Sequence, residues 1–335
     1  MGKADIITKQ YVEDNRVFAD AFNYLIYGGR QVIEPDKLHS MDSVAVEVPY
    51  GSENGAEIPA QKARDELKYL TAMTDERGAY VILGIENQDE IQYAMPVKNM
   101  VYDALQYAGQ VRKAASSHRK AKDYKEHNAG EYLTGFYKSD HLIPVITLVI
   151  YFGSNEWDAP MCLHDMFRVQ DEEILSFVEN YRIHLIAPKY LDEEELEKFH
   201  SSLREVLSFI KYSTDKQKLE KLLGSNENFT ALDRTAAMVI NVCTNSKLKI
   251  DTNQEVVDMC KAIADMRQEG IDIGRQEGIG IGRQEGIGIG IEQGELKKAK
   301  ETALNLFKMG IGAEKIAEVV NVRISLVKEW LANSL

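Results

Sequence analysis

An α/β fold is the class this sequence predicts, on three observations. Apolar runs at residues 80–85 and 144–152 are continuous, as strands buried on both faces require. Helical patterning precedes, separates and follows them. A turn signal, Asp75-Glu76-Arg77-Gly78, sits just ahead of the first run and implies a hairpin.

The elements follow in chain order. Residues 9–27 read as a helix with Phe18, Phe22, Leu25 and Ile26 on one face, ended by Gly28-Gly29. Residues 30–56 look irregular. Residues 63–88 read as the hairpin. A helix starting near Pro96, a favoured first-turn residue, runs to about Ser117 with Met100, Val101, Leu105 and Ala108 inside. Strands are expected at 144–152 and 181–186. From Glu193 to Met266 the pattern is helical, with Leu203, Val206, Leu207 and Ile210 turned inward. The expected organisation is a domain over residues 1–190, a helical extension over 191–268, a repeat over 269–294 and a helix-turn-helix-like segment over 295–335.

The repeat consists of near-identical octads, Gly270 to Glu277 and Gly278 to Glu285, with a degenerate third. Glycine recurs at every fourth position from 270 to 294. On a helix this makes a slowly drifting stripe where another backbone can approach. Nine glycines in this stretch also cost about 1 kcal/mol each relative to alanine. A self-associating helix and a flexible linker both remain open.

Composition narrows the function classes. With 44% hydrophobic and 28% charged residues in 335, the chain is folded and large enough to be stable without disulfides. Cys162, Cys243 and Cys260 are odd in number and far apart, which argues against a zinc site and for buried thiols in a reducing compartment. The N-terminus has no apolar signal stretch, and the longest apolar run is too short for a bilayer. A cytoplasmic location without membrane contact is expected. The net charge of −13 means that any nucleic-acid contact must come from a local basic patch.

One constellation carries chemistry. Glu86 and Gln88 end the apolar strand two residues apart and share a face. A turn centred between Glu76 and Arg77 sets Asp65 across from Gln88, one step from Glu86. Two converging carboxylates suit a hard cation such as Mg²⁺, or Mn²⁺, which also contacts a substrate phosphate. An ordinary polar turn after a strand is the alternative reading. Histidines are scattered, and none is assigned to a metal.

The wider pattern resembles a known family. It includes Asp14-Asn15-Arg16-Val17-Phe18-Ala19-Asp20-Ala21-Phe22, the Arg64-Asp65 pair, and Gly84-Ile85-Glu86-Asn87-Gln88. It continues through Tyr93-Ala94-Met95-Pro96-Val97-Lys98-Asn99-Met100-Val101-Tyr102, Gln106-Tyr107, residues 143–153 and Trp157. These residues resemble the recombination-promoting nuclease (Rpn) or putative transposase family of the PD-(D/E)XK superfamily, over about residues 8–295. The resemblance implies a central mixed sheet flanked by helices, followed here by a helical C-terminal region. It implies a Mg²⁺-dependent DNA endonuclease with Asp65 and Glu86 as catalytic metal ligands and Gln88 as the third catalytic residue. Asp14 is an accessory candidate or, equally, a helix N-cap. A glutamine at 88 orients water but carries no charge and takes no proton at neutral pH. A catalytically weak DNA-binding or assembly protein with the same fold is therefore the competing reading.

DNA contact is expected from Lys98, Arg112, Lys113, Arg119 and Lys120, the densest basic region with His118 and Lys122, unless these simply cover a helix end. Tyr93, Tyr102, Tyr107 and Trp157 read mainly as packing residues. The terminal helix pair, with Arg323, Ser325 and Lys328 near its second helix, is either a DNA-binding unit or a cap for oligomerisation. A homo-oligomer through the repeat and these helices is the expected protein partner.

Overall fold

A computed structural model describes residues 3–40, 66–71, 79–88, 90–122, 128–251 and 253–332, with the backbone alone at 66–71 and 79–87. The turn signal at 75–78 and Asp65 lie outside the described residues. The chain divides into two compact units, Met1–Ile263 and Ala264–Leu335.

The first unit opens with two helices where one was expected, α1 (Lys3–Val12) and α2 (Asn15–Tyr27). The break is made by Asp14, whose extended backbone leaves its carboxylate to accept the Arg16 N–H at 2.8 Å. That is an N-cap, which satisfies a donor the helix itself leaves orphaned. α2 ends where the glycines predict. Gly28 and Gly29 both have positive φ, and their N–H groups return to Tyr24 and Asn23. At Gly29 a Cβ would also lie 2.6 Å from that of Lys198, so glycine is required there twice over.

The sheet is mixed, in the order β1 (Leu38–Ser40), β2 (Glu66–Thr71), β3 (Ala79–Gln88), β4 (Val145–Tyr151), β5 (His184–Ile186). β1, β2 and β3 are antiparallel; β3, β4 and β5 are parallel. The hairpin expected at 63–88 is therefore present as β2 and β3. Its register differs: Glu66 pairs with Ile85, two residues from the pairing a turn centred between Glu76 and Arg77 requires. A register irregularity at Leu70/Thr71 accompanies this shift, and a shift of two keeps each residue on its expected face.

The parallel β3–β4 step needs a crossover. It is made by α3 (Met95–Ala121), with α4 (Ala129–Thr134) after it. α5 (Glu172–Leu175) and α6 (Glu193–Leu196) are single turns on either side of β5. Then come α7 (Leu203–Tyr212), α8 (Lys216–Ser225) and α9 (Arg234–Cys243), and a two-stranded ladder, β6 (Leu232–Asp233) with β7 (Val256–Val257).

One core joins both ends of this unit. Leu203, Val206, Leu207 and Ile210 of α7 are fully buried, as their spacing predicts, against Phe18 and Phe22 of α2 and Leu148, Ile150 and Phe152 of the sheet. Asp20 fastens α2 to the start of α7. Its buried carboxylate accepts the His200 and Ser201 N–H groups and the Ser201 hydroxyl at 2.7–3.0 Å. A buried charge is tolerable only when paired in this way. The thiols match expectation in part. All three are free, but only Cys162 is fully buried.

The octad repeat is helical, within α10 (Met259–Lys308), a 50-residue helix whose first turns pack on the first unit's core. In the second unit, α11 (Ala313–Val320) and α12 (Ile324–Ala332) are joined by a turn at Asn321, with φ 52°. Ala303, Ile316, Ala317, Val327, Trp330 and Leu331 form their small core.

Candidate functional site

Gln88 ends β3 beside Tyr151, the last residue of β4, and its carbonyl accepts the Phe152 N–H at 2.7 Å. Two residues back, Glu86 pairs with Val149, and Gly84 with Thr147. Glu86 is placed by its backbone alone, and Gln88 is half-buried. Val149 and Tyr151 belong to a buried cluster with Met95 of α3 and Trp157, so they mark the sheet face that α3 covers.

α3 descends antiparallel along β4, and four contacts set the pace. Met95 packs with Val149 and Tyr151. Asp103 accepts the Thr147 hydroxyl at 2.6 Å. The Val145 N–H reaches the Tyr107 hydroxyl at 3.1 Å. Gln110 exchanges hydrogen bonds with both backbone groups of Ile143 at 2.7 and 3.0 Å. Asn99 lies one turn after Met95 and one turn before Asp103, hence at the height of Val149. By the parallel register that is also the height of Glu86.

Two polar residues missed from the sequence therefore sit on this face. Asn99 is fully buried, and among the described residues neither its amide nitrogen nor its oxygen has a hydrogen-bond partner. Asp103 also accepts the Tyr181 hydroxyl at 2.6 Å, which ties α3 to the chain leading into β5. The expected inner stripe of α3 is corrected: Val101 is 40% exposed, whereas Met95, Asn99 and Tyr102 are buried. The true stripe contains an asparagine, so hydropathy favoured the neighbouring, wholly apolar one. The signal available was the i, i+4, i+7 spacing of 95, 99 and 102.

The remaining candidates scatter. Asp65 lies outside the described residues; its chain neighbour Glu66 pairs with Ile85, the chain neighbour of Glu86. Asp14 is committed to its capping role and to an ion pair with Arg16 at 2.7 Å. Lys98 stands at the site's end of α3, its ammonium 5.8 Å from the Tyr102 ring centre. Arg112, Lys113, Arg119 and Lys120 are 13 to 21 residues beyond Asn99, about 20–32 Å along the helix axis. The basic residues are thus not one patch. His118 pairs with Asp140 at 3.0 Å and stacks on Tyr137, so it anchors the far end of α3. Tyr93 is exposed and donates to Asp158 at 2.9 Å, which raises its phenol pKa above the usual value. Trp157 is core, as expected, edge-on to Tyr151.

Among the described residues, no three His, Cys, Asp or Glu side chains gather as a metal group, and no helix is long and apolar enough to cross a membrane. The donor chemistry at the end of β3 nevertheless fits a hard cation. Glu86 offers only oxygens, and the amide of Asn99, without a partner among the described residues, lies at the same height.

Searches of curated proteins and of solved structures return no match. A family model does match, over residues 61–238; its description is putative transposase, YhgA-like. That span covers just over half of the 335 residues and runs from β2 into α9, including Glu86, Gln88 and the whole of α3. The chain therefore belongs to the YhgA-like putative transposase family, the one its motifs resemble.

Proposed function

We propose that this chain is a Mg²⁺-dependent DNA endonuclease of PD-(D/E)XK type, working in the cytoplasm, whose cuts promote recombination or mobile-element activity. The family's transposase description supports DNA as the partner. The observation that carries the reading is the pairing of Glu66 with Ile85, because residues 65 and 86 are their immediate chain neighbours. Glu86 stands two residues before the end of β3, and Asp65 would supply the second carboxylate.

Asp65 and Glu86 would hold the ion, Mg²⁺ or Mn²⁺. When bound, it supplies a Lewis acid for the scissile phosphate and lowers the pKa of water. Gln88 orients the attacking water through its amide and takes no proton itself. Proton removal then falls to solvent or to a phosphate oxygen, so the rate should lack the titration of a catalytic lysine. Lys98, beside the site, meets a phosphate near the cut. Arg112, Lys113, Arg119 and Lys120 meet DNA further along α3, about 20–32 Å away and within one turn of the duplex, independent of sequence.

The test is nicking of supercoiled plasmid by the full chain with Mg²⁺. Asp65→Ala and Glu86→Ala should each lose activity by about 100-fold or more. Equal nicking by all three proteins assigns the cleavage to a contaminant or to another site.

A DNA-binding assembly protein on the same fold is the second reading, favoured by the exposed apolar surface of α10. It requires DNA retention with no nicking under either Mg²⁺ or Mn²⁺.

A further inference from the structure

Two asparagines are fully buried among the described residues, and they differ in one respect. Asn23 is saturated. Its Oδ1 accepts the Val32 and Ile33 N–H groups at 3.1 and 2.7 Å, and its Nδ2 donates to the Ile33 carbonyl at 3.0 Å. Asn99 has no partner at either end among the described residues. A buried amide in that condition costs stability, and an apolar side chain of similar size would be tolerated better. A fold that can saturate Asn23 but leaves Asn99 bare holds that amide ready for something absent from the chain.

Both ends are bare, which restricts the ligand. A naked cation satisfies only Oδ1. A phosphate, which accepts but does not donate, satisfies only Nδ2. A hydrated divalent cation beside a phosphodiester satisfies both: water on the ion has its lone pairs engaged by the metal and can donate to Oδ1, while an anionic phosphate oxygen accepts from Nδ2. Mg²⁺ keeps several of its waters when it binds to proteins. Asn99 is also well placed, because α3 holds it at the height of Val149, opposite which Glu86 sits in β3.

We propose that Asn99 is a positioning residue that bridges the hydrated ion and the substrate phosphate. This rests on the endonuclease reading, and it adds to it a group from outside the acidic pair and Gln88. Asn99 fixes the ion's water shell relative to the phosphate, so its removal acts on kcat more than on KM for DNA.

The test compares wild type with Asn99→Leu and Asn99→Asp as full-length proteins. Melting temperature is read in chelator and in saturating Mg²⁺, and plasmid nicking is measured alongside. Asn99→Leu should melt at the wild-type temperature or higher in chelator, lose at least half of the Mg²⁺-induced rise, and drop kcat by about 100-fold. Asn99→Asp should melt lower in chelator at neutral pH, because its carboxylate is buried without a partner, and should be rescued by Mg²⁺ more than wild type is. Three results overturn the inference. If Asn99→Leu melts well below wild type in chelator, the amide is structural. If it keeps both the Mg²⁺ rise and the nicking, the amide is a bystander. If wild type itself shows neither rise nor nicking, the endonuclease reading falls and this inference with it; only that outcome is visible without any variant.

Discussion

Helix α7 and the octad segment of α10 are both regular helices, yet they are held in different ways. In α7, seven of ten residues are buried, and its apolar positions recur at helical spacing against a sheet and two helices. In the octads, every glycine has open space where a Cβ would be, and the isoleucines at 271, 273, 279, 281, 287, 289 and 291 are each 55–63% exposed. Isoleucines two apart point about 200° away from each other on a helix, so they cannot form one face. Packing stabilises α7. Among the described residues the octads have their backbone hydrogen bonds and one exposed side-chain bond, from Gln268 to Asp272, against a glycine cost of about 1 kcal/mol per position. Regular geometry thus says nothing by itself about which helix resists unfolding.

Four substitutions break or sharpen that contrast, the first with the largest effect. Leu207→Ala should cost about 2–5 kcal/mol in denaturant unfolding, because it leaves a cavity in a closed core. Ile281→Ala should stay within about 0.5 kcal/mol; a loss as large as that of Leu207→Ala would mean that the octads are packed against something in solution. Replacing Gly278, Gly282 and Gly286 with alanine should then stabilise the octads by about 1 kcal/mol per site, read as slower amide exchange over 270–294. Faster exchange, or loss of an oligomer seen by light scattering, would show that close backbone approach needs those glycines.

Asp14→Ala should cost about 1 kcal/mol through its cap and leave nicking unchanged. A loss of nicking at unchanged stability would return Asp14 to the site. The smallest effect marks where packing ends along α10. Burial raises the Cys260 thiol above its ordinary value, with Asp258 adding to the shift. The neutral thiol is therefore favoured in the fold, and this contribution to stability is complete below the ordinary thiol range and fades as pH rises through it. Alkylation of Cys260 should show a pH profile displaced to higher pH than that of a free thiol. An undisplaced profile would mean that the first turn of α10 is loose as well.

Much of the fold was legible because it rests on local pattern. The run at 144–152 became β4, the spacing of Leu203, Val206, Leu207 and Ile210 became the buried face of α7, and Gly28-Gly29 became a helix end. The break at Asp14 was legible only as one of two options, since a cap and an accessory carboxylate look alike in sequence. The site was half legible: Glu86 and Gln88 stand out at the end of an apolar strand, whereas Asn99 was passed over in favour of a neighbouring stripe of α3.

The amino-acid order alone determined where most strands and helices form, though not β1 in a stretch that reads as irregular, and which family the chain resembles, because side-chain periodicity and turn chemistry act over a few residues. Only the tertiary structure decided which stripe of α3 faces the sheet, that Glu66 meets Ile85, and that Asn99 stands level with Glu86. Those relations join residues far apart in the chain through strand register and helix packing, and nothing in the local pattern encodes the height at which one element passes another.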